Sequence, residues 1–190
     1  MAKFLQSRAG QNPDVELQDD NQLTLAGLRS LIAGHFYLCQ LQSQQKTPLE
    51  QIHDGFLLLH EKGLFVLLQC HQNGIIHGEA EAASWSCFNY LGDSKPFTNP
   101  VFQNRDNISR LSALLKLPED RFYSCILFDN ECELRRVPSG ISRCTITWAD
   151  QVERLFAEML PNLPVQYSYT QLEALHDIFI LVSSDHESNG

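Results

Sequence analysis

The chain has 190 residues, of which 43% are hydrophobic. This length fits one domain, or one domain with tails, and the composition is sufficient to bury a core. The chain carries 14 basic and 23 acidic residues, a formal net charge of −9. This balance argues against avid, nonspecific binding of duplex DNA through its phosphates.

Localisation and redox state follow from what the sequence lacks. No window approaches the roughly 18 consecutive apolar residues that span a bilayer, and "MAKFLQSRAGQNPDVE" lacks the apolar core of a secretory signal. The sequence therefore predicts a cytoplasmic protein that does not bind membranes. With no CxxC pair, the cysteines are interpreted as buried, reduced thiols: Cys39, Cys70, Cys87, Cys125, Cys132 and Cys144.

The polar ends of the chain predict tails around a single domain. Residues 1–20 are rich in Gln, Asp and Gly, which is typical of a flexible N-terminal arm. Residues 184–190 are interpreted as a frayed tail, so the domain extends over 21–183.

The first element of the domain is a predicted helix over 21–33, with Leu25, Leu28, Leu31 and Ile32 at helical spacing. The segment "FYLCQLQ" (36–42) predicts a strand.

A β-meander is predicted next. Two apolar runs, Gly55–His60 and Leu64–Cys70, are joined by "EKG", where Gly63 is expected to supply the positive φ of a short hairpin turn. After the turn "HQNG", the segment "IIHGEAEAASWSCF" predicts one or two further strands.

The second half of the domain mixes helices and strands. Asn99 is a suitable N-cap and Pro100 a suitable first residue for a helix. The run "FYSCILF" (122–128) predicts a strand covered on both faces, and "SRCTITW" another short strand. Two capping boxes, Thr147 with Asp150 and Thr170 with Glu173, predict helices near 148–160 and 170–182.

Five phrases in this order resemble the nuclease-related domain family of the restriction-endonuclease-like superfamily. They are "QIHDGFLL", "KGLFVLLQC", "NGIIHG" followed by Trp85, "NPVFQN" and "CILFD". The resemblance covers about residues 21–156. It implies an α/β fold: a restriction-endonuclease-like αβββαβ core with a central mixed sheet flanked by helices.

In that superfamily an acid on the second strand and another on the third hold a divalent metal, and a lysine two residues later positions the attacking water. Hard cations prefer carboxylate oxygens, and the metal lowers the pKa of the water. In this chain the three positions fall on His53, Leu68 and Cys70. The resemblance therefore implies a catalytic motif with none of its residues intact, and favours an inactive binding or regulatory module over an enzyme.

Two alternatives keep a metal. A divergent nuclease or phosphodiesterase would use Asp54 and Gln69, with His71, and bind Mg²⁺ or Mn²⁺; Glu79 or Glu81 are possible replacement ligands. A shift of one residue along a strand, however, turns a side chain to the opposite face. Zinc is the second alternative, but its candidate ligands lack a recognised spacing: His53, His60, His71, His77 and Cys70.

The helix after the meander carries the candidate binding residues Gln103, Asn104 and Asn107. They are interpreted either as contacts to a nucleic-acid backbone or a protein partner, or as helix capping and a solvated face. Trp85 and Trp148 are interpreted as packing residues. The expected partner is therefore a protein or a nucleic acid. A purely protein-binding role would show no salt-dependent binding of DNA.

Overall fold

The computed structural model describes residue 32, residues 34–43 and residues 49–184. The predicted arm at 1–20, almost all of the predicted helix at 21–33 and most of the predicted tail lie outside the described residues. Among the described residues, no helix is long and apolar enough to cross a membrane.

The described residues form nine strands and three α-helices. The strands are β1 (Phe36–Leu41), β2 (Gly55–His60), β3 (Gly63–Cys70), β4 (Ile75–His77), β5 (Ser84–Phe88), β6 (Ser94–Thr98), β7 (Phe122–Phe128), β8 (Glu133–Arg136) and β9 (Cys144–Trp148). The helices are α1 (Pro100–Leu115), α2 (Val152–Met159) and α3 (Tyr169–Ser184).

The central sheet has five strands in the order β1-β2-β3-β7-β9. The first three form the predicted antiparallel meander. Strand β7 then pairs in parallel with β3, and β9 pairs in parallel with β7. This mixed sheet with helices confirms the predicted α/β fold class. A second sheet, in the order β6-β5-β4-β8, was not predicted.

Each face of the central sheet packs against different helices. On the first face, residues such as Leu57 and Val66 pack with Leu111 of α1 and Leu172 of α3. On the second face, alternating residues such as Phe65 and Leu127 pack with Phe156 of α2. A third cluster joins the end of the first face to the second sheet. Strands β3 and β7 are thus buried on both faces, as their continuous apolar sequences predict.

The predicted start of α1 is confirmed. The Asn99 side chain accepts a hydrogen bond from the Val101 N–H at 2.9 Å, and Pro100 occupies the first helical position. Both predicted capping boxes are wrong. Thr147 belongs to β9, and the Asp150 N–H instead donates to the Asn130 side chain at 3.1 Å.

The capping box of α3 lies two residues earlier than predicted. The Ser168 N–H donates to Gln171 Oε1 at 2.9 Å, and the Gln171 N–H donates to Ser168 Oγ at 3.3 Å. Such a reciprocal pair satisfies two backbone donors at a helix N-terminus. Gly63 also differs from expectation, because its φ is not positive. A side chain there would instead meet the Tyr123 ring, with its Cβ 2.8 Å from Cε2.

Candidate functional site

The two positions to which the resemblance assigns the third-strand acid and the lysine lie in the protein core. Leu68 is 3% exposed and Cys70 is 8% exposed. In β3 they pair with Ile126 and Phe128 of β7. All four side chains belong to one apolar cluster, which also contains Val101 at the start of α1. This part of the first face is therefore filled by apolar side chains rather than by polar groups.

Burial also determines the chemistry of Cys70. Burial, together with the nearby Asp129 and Cys132, raises the pKa of this thiol from 9.0 to about 12. The thiol is therefore neutral at neutral pH and offers neither the positive charge of a lysine nor a thiolate nucleophile.

The backbone at the second-strand position is held by α1. The His53 N–H donates to Asn107 Oδ1 at 2.7 Å, and Asn107 Nδ2 donates to the His53 carbonyl at 3.0 Å. Asn107 itself is 0% exposed. These two hydrogen bonds fix the backbone just before β2, while the His53 side chain is half-buried.

The other two candidate binding residues differ in accessibility. Asn104 is 0% exposed, and its Nδ2 donates to the Val66 carbonyl at 2.9 Å and to Ser124 Oγ at 2.7 Å. It thus ties α1 to β3 and β7. Gln103 is half-buried, and the next exposed residues on α1 are Arg105 and Asp106. A ligand contact by these residues stays a prediction, and in this conformation Asn104 and Asn107 have no surface facing solvent.

The phrase "NGIIHG" and Trp85 belong to the second sheet and the loop between β4 and β5. The Trp85 side chain is 1% exposed, and its Nε1 donates to the Glu79 carbonyl at 2.9 Å. Its ring lies parallel to that of Phe128, with centroids 6.3 Å apart. A Cβ on Gly78 would lie 2.0 Å from the Trp85 ring, so this position requires glycine. The Asn99 Nδ2 donates to three carbonyls of the same loop. Trp85 is therefore a packing residue, as predicted.

Of the two residues of the shifted site, Gln69 lies toward the second face. Gln69 alternates with Leu67, which packs on that face. Asp54 immediately precedes Gly55, the first residue of β2, which pairs with Leu68 of β3. Asp54 is exposed, and its Oδ1 accepts from the Ser43 N–H at 3.4 Å. Gln69 therefore faces away from Leu68 and Cys70, whereas Asp54 lies at a bend before β2.

Sequence reasoning missed one acidic residue at this edge. Asp129 follows β7 directly, and His71 follows β3; their side chains lie 3.2 Å apart, from Nδ1 to Oδ1. The signal was available in "CILFDN", because the carboxyl ends of parallel strands meet at one edge of a sheet. The pair places a histidine and a carboxylate at the carboxyl ends of β3 and β7.

The histidines of the zinc alternative have separate environments. His60 is 1% exposed, and its Nδ1 accepts from the Lys62 N–H at 3.1 Å. The ring of His77 lies 5.0 Å from that of Phe88, while His71 pairs with Asp129. In the part of the chain that the structure describes, no three residues among His, Cys, Asp and Glu are grouped so as to hold a metal ion. Glu79 and Glu81 have exposed side chains.

A family model described as nuclease-related domain matches residues 29–129. The match is more than half of the chain, includes all five phrases of the resemblance, and ends one residue after β7. It is shorter than the expected range of 21–156. Neither the curated proteins nor the solved structures give a match.

Proposed function

The chain belongs to the nuclease-related domain family, and from this premise we propose that it is a catalytically degenerate member acting as a binding or regulatory module in nucleic-acid processing. The observation that carries the proposal is the apolar cluster at Leu68 and Cys70. It occupies the positions at which the resemblance expects a metal-binding acid and a lysine.

Metal-dependent cleavage of a phosphodiester needs oxygen ligands for the cation and a polarised water. Leu68 supplies no oxygen, and the Cys70 thiol is neutral because burial raises its pKa to about 12. Both side chains face Ile126 and Phe128 instead of solvent. Hydrolysis at these positions would therefore require a change of core packing as well as a change of side chains.

The same helix that seals this cluster offers a polar surface for binding. Arg105 is exposed on α1, and its guanidinium lies 5.3 Å above the Phe102 ring. Gln103 lies on the same turn of the helix. An arginine with neighbouring polar groups suits contact with a phosphate backbone. We expect this local charge to guide nucleic acid to α1 despite the acidic net charge of the chain.

Fluorescence anisotropy with labelled single- and double-stranded DNA and RNA, in EDTA at low salt, tests the binding role. We expect saturable binding that weakens as salt rises and that Arg105→Glu weakens further. The matched control is Arg154→Glu, the same charge change at an exposed residue of α2 on the other side of the sheet. No binding, or equal loss in both variants, would contradict the nucleic-acid role and leave a protein partner as the binding function.

A divergent nuclease that binds Mg²⁺ or Mn²⁺ is the second candidate. Its support is the contact between His71 and Asp129 at the carboxyl ends of β3 and β7, with Gln69 in β3 and Asp54 just before β2 at the same end of the sheet. Titration calorimetry with Mn²⁺ tests it. The candidate predicts one ion bound per chain, lost in Asp54→Ala and kept in the control Asp106→Ala. No uptake of Mn²⁺ by the wild-type chain would exclude it.

A further inference from the structure

Strand β9 forms the last strand of the central sheet in the described part of the chain. Its sequence, "CTITW", contains no charge and no proline, and all five residues are partly exposed. β-branched and aromatic residues favour strand pairing. An uncharged edge of this kind is a template for another strand, unless the protein protects it.

The backbone of β9 directs a row of polar groups away from the sheet. The Ser124 N–H of β7 donates to the Arg143 carbonyl at 2.8 Å. Because backbone groups of successive residues point to opposite sides of a strand, those of Thr145 and Thr147 face β7. The N–H and C=O of Ile146, the N–H of Trp148 and the C=O of Cys144 therefore face outward.

Both edges of the second sheet in the described chain carry charge or proline that β9 lacks. The edge strand β6 contains Lys95 and Pro96, and proline cannot donate to a ladder. The edge strand β8 contains three charged residues among four, beginning with Glu133. Strand β1 has half of its residues buried. Charge and proline are the usual means by which an edge avoids pairing. Strands β1 and β9 both lack them, but β9 differs from β1 in that none of its residues is fully buried.

Charges at the two ends of β9 are of opposite sign. Exposed Arg143 precedes the strand, and exposed Asp150 follows it. Arg105 adds positive charge at the beginning of the strand. Burial raises the pKa of the Cys144 thiol, whereas the hydrogen bond between Cys144 and Ser124 and the nearby Arg105 guanidinium lower it. An antiparallel copy of the same strand would bring the basic beginning of each next to the acidic end of the other.

We propose that β9 binds the β9 strand of a second copy of this chain, antiparallel, across a two-fold axis at Ile146. The two Ile146 residues then exchange a pair of backbone hydrogen bonds. The Trp148 N–H of each copy donates to the Cys144 carbonyl of the other, so that the outward groups are satisfied. A two-fold interface uses the same surface on both subunits, and this neutral strand with oppositely charged ends is complementary to itself.

Sedimentation equilibrium of the full chain over a range of concentrations, in reducing buffer, tests the pairing. We expect a reversible monomer–dimer equilibrium. Ile146→Pro removes an outward N–H that the sheet itself does not use, and we expect it to abolish dimers. The control Ile146→Val keeps the N–H and is expected to keep the dimer. A wild-type chain that stays monomeric, or a folded Ile146→Pro variant that still forms dimers, would overturn the proposal.

Charge reversal provides a second test that preserves the backbone. Arg143→Glu and Asp150→Arg are each expected to raise the dissociation constant about tenfold, while the double variant is expected to restore the wild-type value. Far-UV circular dichroism establishes that each variant is folded. If Ile146→Pro unfolds, the charge variants decide: rescue in the double variant supports the antiparallel pairing, and additive loss overturns it.

Discussion

Replacement of Leu68 by glutamate places a carboxyl group at the position of the family's third-strand acid. Leu68 is 3% exposed within an apolar cluster, so desolvation is expected to raise the pKa of the new carboxyl above its ordinary value of about 4.3. Below about pH 4 the group is neutral in both the folded and the unfolded chain. Leu68→Glu should then be about as stable as the neutral control Leu68→Gln.

The difference between these two variants appears as the pH rises. Above about pH 4.3 the unfolded chain loses the proton while the folded chain retains it, and the variant loses about 1.4 kcal/mol of unfolding free energy per pH unit. If the folded pKa exceeds 7, the deficit relative to Leu68→Gln reaches about 3–4 kcal/mol at neutral pH. This is a large part of the roughly 5–15 kcal/mol that a domain possesses.

Urea unfolding of both variants at about pH 4, 5.5 and 7, followed by tryptophan fluorescence, measures this deficit. Equal stability of Leu68→Glu and Leu68→Gln at every pH would refute the reasoning. It would mean that the position is solvated, as a metal-binding acid requires, rather than sealed by Ile126 and Phe128.

Three further predictions concern the surrounding framework. Asn104→Ala breaks the hydrogen bonds to Val66 and Ser124 and should lower the free energy of urea unfolding by about 2–3 kcal/mol. The control Gln103→Ala should change it by less than about 0.5 kcal/mol. Equal effects of the two substitutions would argue against a stabilising role for the buried Asn104 hydrogen bonds. Burial raises the pKa of Cys70 from 9.0 to about 12, so the contribution of the neutral thiol to stability is complete below pH 9 and is lost as the pH rises toward 12. Over this pH range the free energy of unfolding of the wild-type chain should therefore fall more steeply than that of Cys70→Val. Parallel curves of unfolding free energy against pH would contradict this. Ser168→Ala removes the side chain that caps α3 and should lower the free energy of unfolding, measured by thermal unfolding, by about 1 kcal/mol. Thr170→Ala should have a smaller effect. A larger effect of Thr170→Ala would instead support the capping box expected from the sequence.

The elements with strong apolar patterns were predictable from the sequence. Strands β2, β3 and β7 follow from their apolar runs, and the start of α1 follows from Asn99 and Pro100. Strands β6 and β8 are short and largely exposed, so their sequences carry no such pattern. Only pairing with β5 and β4 identifies them as strands.

The errors at helix starts arise from competition with tertiary structure. Thr147 pairs with Leu127 and therefore remains in β9 instead of capping a helix. Asn130, 20 residues away, supplies the acceptor for the Asp150 N–H. Similarly, His71 and Asp129 meet only because β3 and β7 pair in parallel across 58 residues of sequence. Local patterns cannot specify contacts of this range.

The candidate site, like the fold, was predictable from the sequence only in part. The apolar character of Leu68 was visible in the sequence, and its burial follows from the alternation of β3. The double hydrogen bond between Asn107 and the His53 backbone was not visible, because an asparagine on a helix has the same sequence signature whether it binds a ligand or a neighbouring strand. The structure thus gives two of the three candidate binding residues a role inside the fold.

The most direct test of the central claim is a cleavage assay with the purified full chain. Labelled single- and double-stranded DNA and RNA are incubated with Mg²⁺ and with Mn²⁺, and products are compared with those of Asp54→Ala prepared in the same way. We expect no cleavage above the level of this variant with either metal, because the proposed function has Leu68 and Cys70, in an apolar cluster, in place of the acid and the lysine. Cleavage by the wild-type chain that Asp54→Ala abolishes would contradict it.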